Sequence, residues 1–330
     1  MVTIKEVARK AGVSTSTVSR SLSGNIFVSK DTKKRVIKTV NELGYRPNVL
    51  AKGLKEGKTN AIGLIIPNIR NPIYPAIVKG VEDTARKNGF IVILCNTDEN
   101  IDNEKEIISM LEKRWVDGFI FATASSDFNH ICKIKENKFP VVLLVRDWED
   151  EFDSVVTDNF EASYEAVKYL IQRGHKKIAI INGDLNLSLY KERYEGYKKA
   201  LLDSGLEIPS EMSFCCSFEN QECYLKTTDL LKSNIIPDAI FATNDLRAIE
   251  AIRAIKDIGL KVPEDISVVG FDDIQISSFI DPMLTTVSQP FYKMGEVAVK
   301  NLIKIINYKR NRKPKRDVVK SKLVIRNSTR

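Results

Sequence analysis

From residue 61 onward this chain repeats one pattern: a short, nearly continuous apolar run, then a longer stretch with helical spacing. AIGLIIP precedes IYPAIVKGVEDTARKNG, FIVILCNT precedes NEKEIISMLEKRW, DGFIFAT precedes FNHICKIKENK, and PVVLLV follows. A strand that is apolar at every position has no face to show to water. It belongs in a parallel sheet covered on both sides by the helices that link its strands. After SVVTDN (154–159) the series restarts, with KKIAIING, DAIFATND and DISVVGFDD as its strands. Two consecutive α/β series predict two open parallel-sheet lobes. Ligands bind such sheets outside the carboxyl ends of the strands, so two facing lobes make a cleft there.

Polar residues just after strands are the candidates for that cleft. They are Asn68, Asn71 and Tyr74, then Arg146 and Asp147, in the first series; Asp158, Asn159, Asp184, Asn244, Asp245, Asp272 and Asp273 in the second. Arg193 lies on a helix near the loop after KKIAIING. Carboxylates, amides and an arginine hydrogen-bond hydroxyl-rich ligands well, and Tyr74 or Phe218 can stack on a ring face. Taken singly, each reads more readily as a turn residue or a helix cap than as a ligand; their recurrence at strand ends strengthens the set. No serine–histidine pairing or paired catalytic acids can be picked out, so the expected chemistry is binding, not catalysis.

The first sixty residues read differently. TIKEVARKAG carries a capping box, Thr3 and Glu6, with Ile4, Val7, Ala8 and Ala11 as an apolar stripe and Gly12 as a stop. GVSTSTVSRSLSG follows at once. Ser14 caps it, Val18 and Leu22 turn inward, and Thr15, Ser16, Thr17, Ser19 and Arg20 turn outward. A third helix, DTKKRVIKTVNELG, sets Val36, Val40 and Leu43 inward. Helix, tight glycine turn and short polar helix form a helix-turn-helix pattern. Outward hydroxyls with an arginine suit base edges in the major groove, although the same surface also fits a plain solvated face.

Pro47 can open a helix that would run only to about Lys55, too short to hold itself in water and weakened by Gly53. Leu54, beside Lys52 and Lys55, can wedge a minor-groove step with the lysines on flanking phosphates; a flexible linker is the alternative. The run from Gly53 to Thr59 imitates a phosphate-binding loop. It has three residues between its glycines and precedes a strand, so nucleotide binding is not expected.

Charge separates the same regions. Residues 1–60 and 308–330 each carry +9 and the stretch between them −10, a division that the overall +8 conceals. A basic head on an acidic body points to a nucleic-acid partner for the head. The basic tail KRNRKPKR (309–316) has no assigned role. No apolar run approaches the ~18 residues of a membrane span, and the N-terminus lacks the apolar core of a signal peptide, so a cytoplasmic protein is expected. Five cysteines without C-x-x-C argue against a disulfide framework and a zinc ribbon. Two histidines far apart, His130 and His175, exclude a multi-histidine metal site. Neither a cofactor nor enzymatic activity is expected.

TIKEVARKAGVSTSTVSRSLSG and VSKDTKKRVIKTVNELGYRPNVLAKGLKEGKT resemble the headpiece and hinge of the LacI/GalR bacterial repressor family. NPIYPAIVKGVE, RWVDGFIF, NGDLNLSLYKERYEGYKKAL, AIFATNDLRAIEAIRAIKDIGLKVPEDISVVGFDD and KLVIRNST continue the resemblance to the end of the chain. It implies an all-α helix-turn-helix headpiece (1–46), a hinge helix and linker (47–60) and a type I periplasmic-binding-protein-like core (61–330). The N-lobe spans about 61–157 plus 289–317 and the C-lobe about 158–288 plus 318–330. It also implies a homodimer on a pseudo-palindromic operator, acting at the nucleoid, whose DNA affinity is set by a small effector, a sugar or sugar derivative, between the lobes. The alternative within the family is a global catabolite regulator that answers to a phosphorylated carrier protein.

Carried over by position, Thr15, Ser16 and Arg20 match base-facing residues, Thr17, Ser19 and Asn48 match supporting DNA contacts, and Leu54 matches the minor-groove wedge. Arg193, Asn244 and Asp272 match effector-binding positions, and Phe218 falls near a stacking aromatic. Lys52 stands where arginine is usual, which weakens planar readout more than charge. Val145 stands where many members have an effector-binding aspartate, with Arg146 beside it. Leu187 replaces the arginine of a purine-responsive member, which argues against a purine effector.

Overall fold

The computed structural model describes residues 2–23, 28–45, 58–113, 115–123, 127–148, 151–208, 210–217, 221–233, 235–308 and 313–330, and the structural statements below concern these. The chain divides into two compact units, 1–59 and 60–330.

The small unit contains α1 (Ile4–Ala11), α2 (Thr15–Ser23) and α3 (Lys30–Leu43). Local chemistry starts and stops each helix. The Thr3 amide donates to Glu6 Oε2 at 2.7 Å while the Glu6 amide donates to Thr3 Oγ1 at 3.4 Å, closing the capping box. Ser14 Oγ accepts the Thr17 amide at the start of α2, and Ser29 caps α3. Gly12 and Gly44 end α1 and α3 at φ 63° and 61°. Val7, Ala8, Ala11, Val18 and Val36 form the buried core, with Leu22, Val40 and Leu43 packed against it.

The large unit holds two six-stranded sheets. The first runs β11 (Arg316–Val319), β5 (Asp153–Thr157), β4 (Val141–Leu144), β3 (Gly118–Phe121), β1 (Ala61–Ile66), β2 (Ile91–Asn96), all parallel. One face is covered by α4 (Tyr74–Lys87) and α11 (Phe291–Tyr308), the other by α5 (Ile101–Glu112) and α6 (Asn129–Glu136). The second sheet runs β12 (Lys322–Val324), β10 (Thr285–Ser288), β9 (Ser267–Asp272), β8 (Ala239–Ala242), β6 (Ile178–Asn182), β7 (Ser213–Cys215). Helices α7 (Asn159–Gln172) and α8 (Ser188–Leu202) cover one face; α9 (Glu222–Lys232) and α10 (Asp245–Asp257) cover the other. Strands β1, β3, β4, β6, β8 and β9 are buried along their whole length, as their unbroken apolar sequences require.

Two details differ from the sequence reading. Strand β12 pairs antiparallel with β10, so the second sheet is not wholly parallel. The chain leaves β11 at the strand's carboxyl end and enters the second lobe from that same end. Its last strand therefore runs against its neighbours. The last crossing falls at 320–321, slightly later than the expected boundary near 317, because β11 pairs with β5 through Val319. In addition, Cys216, just after β7, and Cys223, in the first turn of α9, form a disulfide, Cα–Cα 5.4 Å, which cysteine counting did not foresee; Cys95, Cys132 and Cys215 are free.

The lobes are joined by three crossovers, at 157–159, 288–291 and 319–322. Thr157 Oγ1 donates to Gln289 Oε1 at 2.6 Å. Asp158 Oδ1 accepts the Ser321 amide at 3.0 Å and its hydroxyl at 2.7 Å. Each crossover is therefore held to another by a side chain.

Candidate functional site

On the small unit, α2 buries Val18 and turns Thr15, Ser16, Ser19 and Arg20 to solvent. Thr17 is only partly exposed. Its hydroxyl and that of Ser16 lie 2.9 and 2.7 Å from Ser14 Oγ, so both share in capping the helix they begin. Ser21 Oγ donates to the Thr17 carbonyl at 2.8 Å on the inner side. The helix thus presents short hydroxyls and one arginine on a surface free of bulky apolar groups. Asn48, Lys52, Leu54 and Lys55 lie outside the described residues.

In the large unit the candidate residues lie near strand ends on both lobes. Tyr74 opens α4 with its ring buried, and its hydroxyl donates to the Ala122 carbonyl at 3.4 Å. Burial pushes its pKa up, against the pull of Arg146. Arg146 follows Val145, a β-branched residue at φ 66° in the left-handed region, a local strain that turns the chain at the end of β4. Its Nε donates to the Thr123 carbonyl at 3.0 Å.

Across the cleft, Arg193 lies buried with its guanidinium 3.7 Å from the Phe271 ring centre. Nε donates to Asn159 Oδ1 at 2.9 Å and NH1 to the Thr243 carbonyl at 2.6 Å; Asp272 Oδ1 is 4.0 Å from NH1. Burial lowers the Arg193 pKa to about 10, with Asp272 opposing, so the group stays cationic at neutral pH. Asp272 sits at φ 124°, a conformation that few non-glycine residues adopt. Burial raises its carboxyl to about 7 against the pull of Arg193 and a hydrogen bond from Gln289. Asn244 caps α10, its Oδ1 accepting the Arg247 amide at 2.9 Å.

Two comparisons of sequence and one of structure bear on this arrangement. The family profile described as "Bacterial regulatory proteins, lacI family" matches residues 3–48, and "Periplasmic binding proteins and sugar binding domain of LacI family" matches 59–327. The chain belongs to the LacI family. An HTH-type transcriptional regulator RegA of Clostridium saccharobutylicum is 40% identical over 99% of this chain and 98% of its own. Catabolite control protein A of Priestia megaterium is 37% identical over 93% of each. A lac repressor dimer bound to operator and the anti-inducer ONPF superposes with TM-score 0.88 at 28% identity over 99% of each chain. Like its family, this is a DNA-binding transcriptional regulator with a sugar-binding type of core.

Within this LacI-family core, Arg146 and Asp272 each act electrostatically on both Tyr74 and Arg193, and Asp272 ends β9 while Asn244 follows the neighbouring strand β8. Asp158 does not join them. The structure gives its carboxylate to Ser321, with Lys320 Nζ at 3.5 Å, because it sits on a crossover and not at the cleft wall. Phe218 lies outside the described residues. Asn68, Asn71 and Asp184 are turn residues, each accepting the amide two positions on. Asp147 is engaged with Ser154 and Arg316, and Asp273 with Arg326. Asp245 is sealed beneath the cleft by Ser277, Thr286 and the Ile274 amide; burial raises it to about 6.

Two residues beside Arg193 went unnoticed in the sequence. Tyr190 lies one turn before Arg193 on α8, and its ring rests over Gly183, where any Cβ would come within 2.5 Å of it. Arg247, three residues after the Asn244 cap, donates to Tyr190 Oη at 3.2 Å and to the Cys216 carbonyl at 2.9 Å. The signal was present in the helical spacings 190/193 and 244/247, but neither residue directly follows a strand. Among the described residues no group of three or more His, Cys, Asp or Glu is placed to hold a metal ion, and no helix is long and apolar enough to cross a membrane.

Proposed function

We propose that this chain is a repressor that binds a pseudo-palindromic operator as a homodimer and changes operator affinity when a small carbohydrate-type effector enters the cleft. The observation that carries the reading is the presence, in one chain, of a polar-faced recognition helix and a strand-end cluster of Tyr74, Arg146, Arg193, Asn244 and Asp272. Thr15, Ser16 and Arg20 read bases, with Thr17 and Ser19 in support. Asn48, Lys52, Leu54 and Lys55 serve the hinge contact. The similar lac repressor dimer with operator and a bound anti-inducer supports the same assembly here. Exposed apolar side chains of the core, Ile91 on edge strand β2 and Phe279 among them, supply surface for the second copy. The protein works in the cytoplasm, on the nucleoid, and no step of this function requires catalysis.

Effector control requires that the ligand bind the two lobe arrangements with different affinity, and the coupling is reciprocal. The three crossovers are where a change of lobe angle is absorbed. The test is fluorescence anisotropy on an operator selected from random duplexes, with and without a carbohydrate library. A selected site without two-fold symmetry, or affinity indifferent to every ligand, would refute the reading.

A further inference from the structure

The one covalent cross-link among the described residues lies beside the candidate site. Cys216 directly follows β7 and Cys223 falls in the first turn of α9, with Cα atoms 5.4 Å apart, inside the range usual for a disulfide. The large unit has no need of a staple there. Each lobe already closes two buried apolar clusters, one on either face of its sheet. A bridge across a sequence separation of 7 constrains only a short stretch of the unfolded chain. In a cytoplasmic protein, thiol reductants keep structural disulfides rare, and those that form serve mostly in catalysis or as redox sensors.

The bridged residue also holds a side chain next to the site. The Cys216 carbonyl accepts Arg247 Nε at 3.2 Å and Nη2 at 2.9 Å, while Arg247 Nη1 reaches Tyr190 Oη at 3.2 Å. The Cys216 amide donates to the Asn182 carbonyl at 3.0 Å, and Asn182 Nδ2 donates to the Tyr190 carbonyl at 3.1 Å. Tyr190 and Arg247 both act electrostatically on Arg193. The backbone of one cysteine thus fixes the fork of an arginine that stands beside a candidate effector ligand.

Both cysteines are buried, and the contacts next to them are polar and face solvent. Glu222 Oε2 accepts the Ser217 amide and hydroxyl, each at 2.7 Å. Lys226 Nζ spans Glu222 Oε1 at 2.6 Å and the Cys215 carbonyl at 2.7 Å. Such contacts open more readily than the core beneath, so a small thiol gains entry by local opening, without global unfolding. Cys215 is half-buried and burial raises its thiol pKa, which makes it a poor attacking group and confines the exchange to Cys216 and Cys223.

We propose that Cys216 and Cys223 form a redox modification site: a reversible disulfide, reduced by cytoplasmic dithiols and re-formed by low-molecular-weight disulfides, whose state sets how firmly Arg247 is held and thereby the operator affinity. In reduction, a thiolate of the dithiol attacks one cysteine sulfur. The protein S–S bond breaks as a mixed disulfide forms, and the other cysteine leaves as a thiolate and takes up a proton. The second thiol of the reductant, deprotonated, then attacks its own sulfur in the mixed disulfide and displaces the remaining cysteine, which is protonated in turn. The protein gains two electrons and two protons, and the reductant ends as its own disulfide. Glutathione disulfide runs the reverse, leaving as two molecules of the thiol. The inference rests on the cytoplasmic, operator-binding reading, while the couple itself is measured on the isolated protein without DNA.

The full-length protein is equilibrated natively with reduced and oxidised glutathione over a series of ratios, and separately with excess dithiothreitol. After acid quench and denaturation, maleimide labelling read by mass counts three cysteines in the bridged form and five in the reduced one. The expected result is conversion between three and five labels within the glutathione series. Fluorescence anisotropy should then give operator affinities that differ about five-fold or more between the two forms. Cys223→Ser should keep the affinity of the reduced wild type and ignore glutathione disulfide. A pair that stays bridged in excess dithiothreitol is a staple, and one that never bridges under glutathione disulfide is two thiols; either overturns the site. Equal operator affinity of the two wild-type forms would overturn the switch. So would a Cys223→Ser variant that responds to oxidant as the wild type does, since the response would then come from the other cysteines. Absence of any selectable operator would sink the reading on which the inference rests, and the labelling count would still decide the couple.

Discussion

Gln289 donates its side-chain amide to Asp272 at 2.6 Å. The other end of the same amide accepts from Thr157 at the same distance, so one side chain ties a candidate effector ligand to two of the three crossovers. A ligand that takes up Asp272 must therefore disturb, or be held by, the segment on which the lobes turn.

Gln289→Leu should loosen that tie. It strips a buried acceptor and a buried donor of their partners, at a cost of about 1–3 kcal/mol. The variant should unfold at lower temperature and give a shallower operator response to effector. A lowered Tm with a wild-type response curve would separate Gln289 from the signal.

Asp158→Ala tests the reassigned carboxylate. Losing the double contact to Ser321 should destabilise the large unit by about 1–3 kcal/mol, read by denaturant titration, with little change in intrinsic ligand affinity. Intact stability combined with lost ligand binding would return Asp158 to the effector site.

Asp272 should also leave a mark on the pH profile. Burial raises its carboxyl from 3.8 to about 7, and a group raised in the folded state favours folding while it is protonated. Its contribution is present below the unfolded value and is lost as pH rises through about 7. Asp272→Asn, which cannot ionise, should therefore flatten Tm against pH between 3.8 and about 7 relative to the native chain. Superimposable profiles would mean that the carboxylate stays ionised throughout.

Arg20→Ala should relax preference at one operator position by about 1–3 kcal/mol if the contact to guanine is bidentate. Competition binding across single-base operator variants measures it. A uniform loss on every sequence would mark Arg20 as a phosphate contact.

Most of the architecture was legible from local signals, because helix caps, glycine stops and unbroken apolar strands depend on neighbours in the chain. Thr3 with Glu6, Gly12 and Gly44, and runs such as AIGLIIP needed no tertiary information. Residue type and position after a strand also nominated Tyr74, Arg146 and Asp272 as candidates, and Arg193 was nominated by its helix near the loop after KKIAIING. The tertiary structure decided what each does. Asp158 and Asp272 follow strands in the same way, yet one clasps Ser321 across 163 positions and the other meets Arg193. Arg247 and Tyr190 meet, 57 positions apart, only because helices α10 and α8 pack on the same sheet. Charge behaved likewise. The sequence determined that the stretch 61–307 is acidic overall, with the surplus basic residues at the two ends of the chain. Only folding decided that three arginines from distant segments would share one small volume, since electrostatic balance in a cleft depends on distances through space and not along the chain.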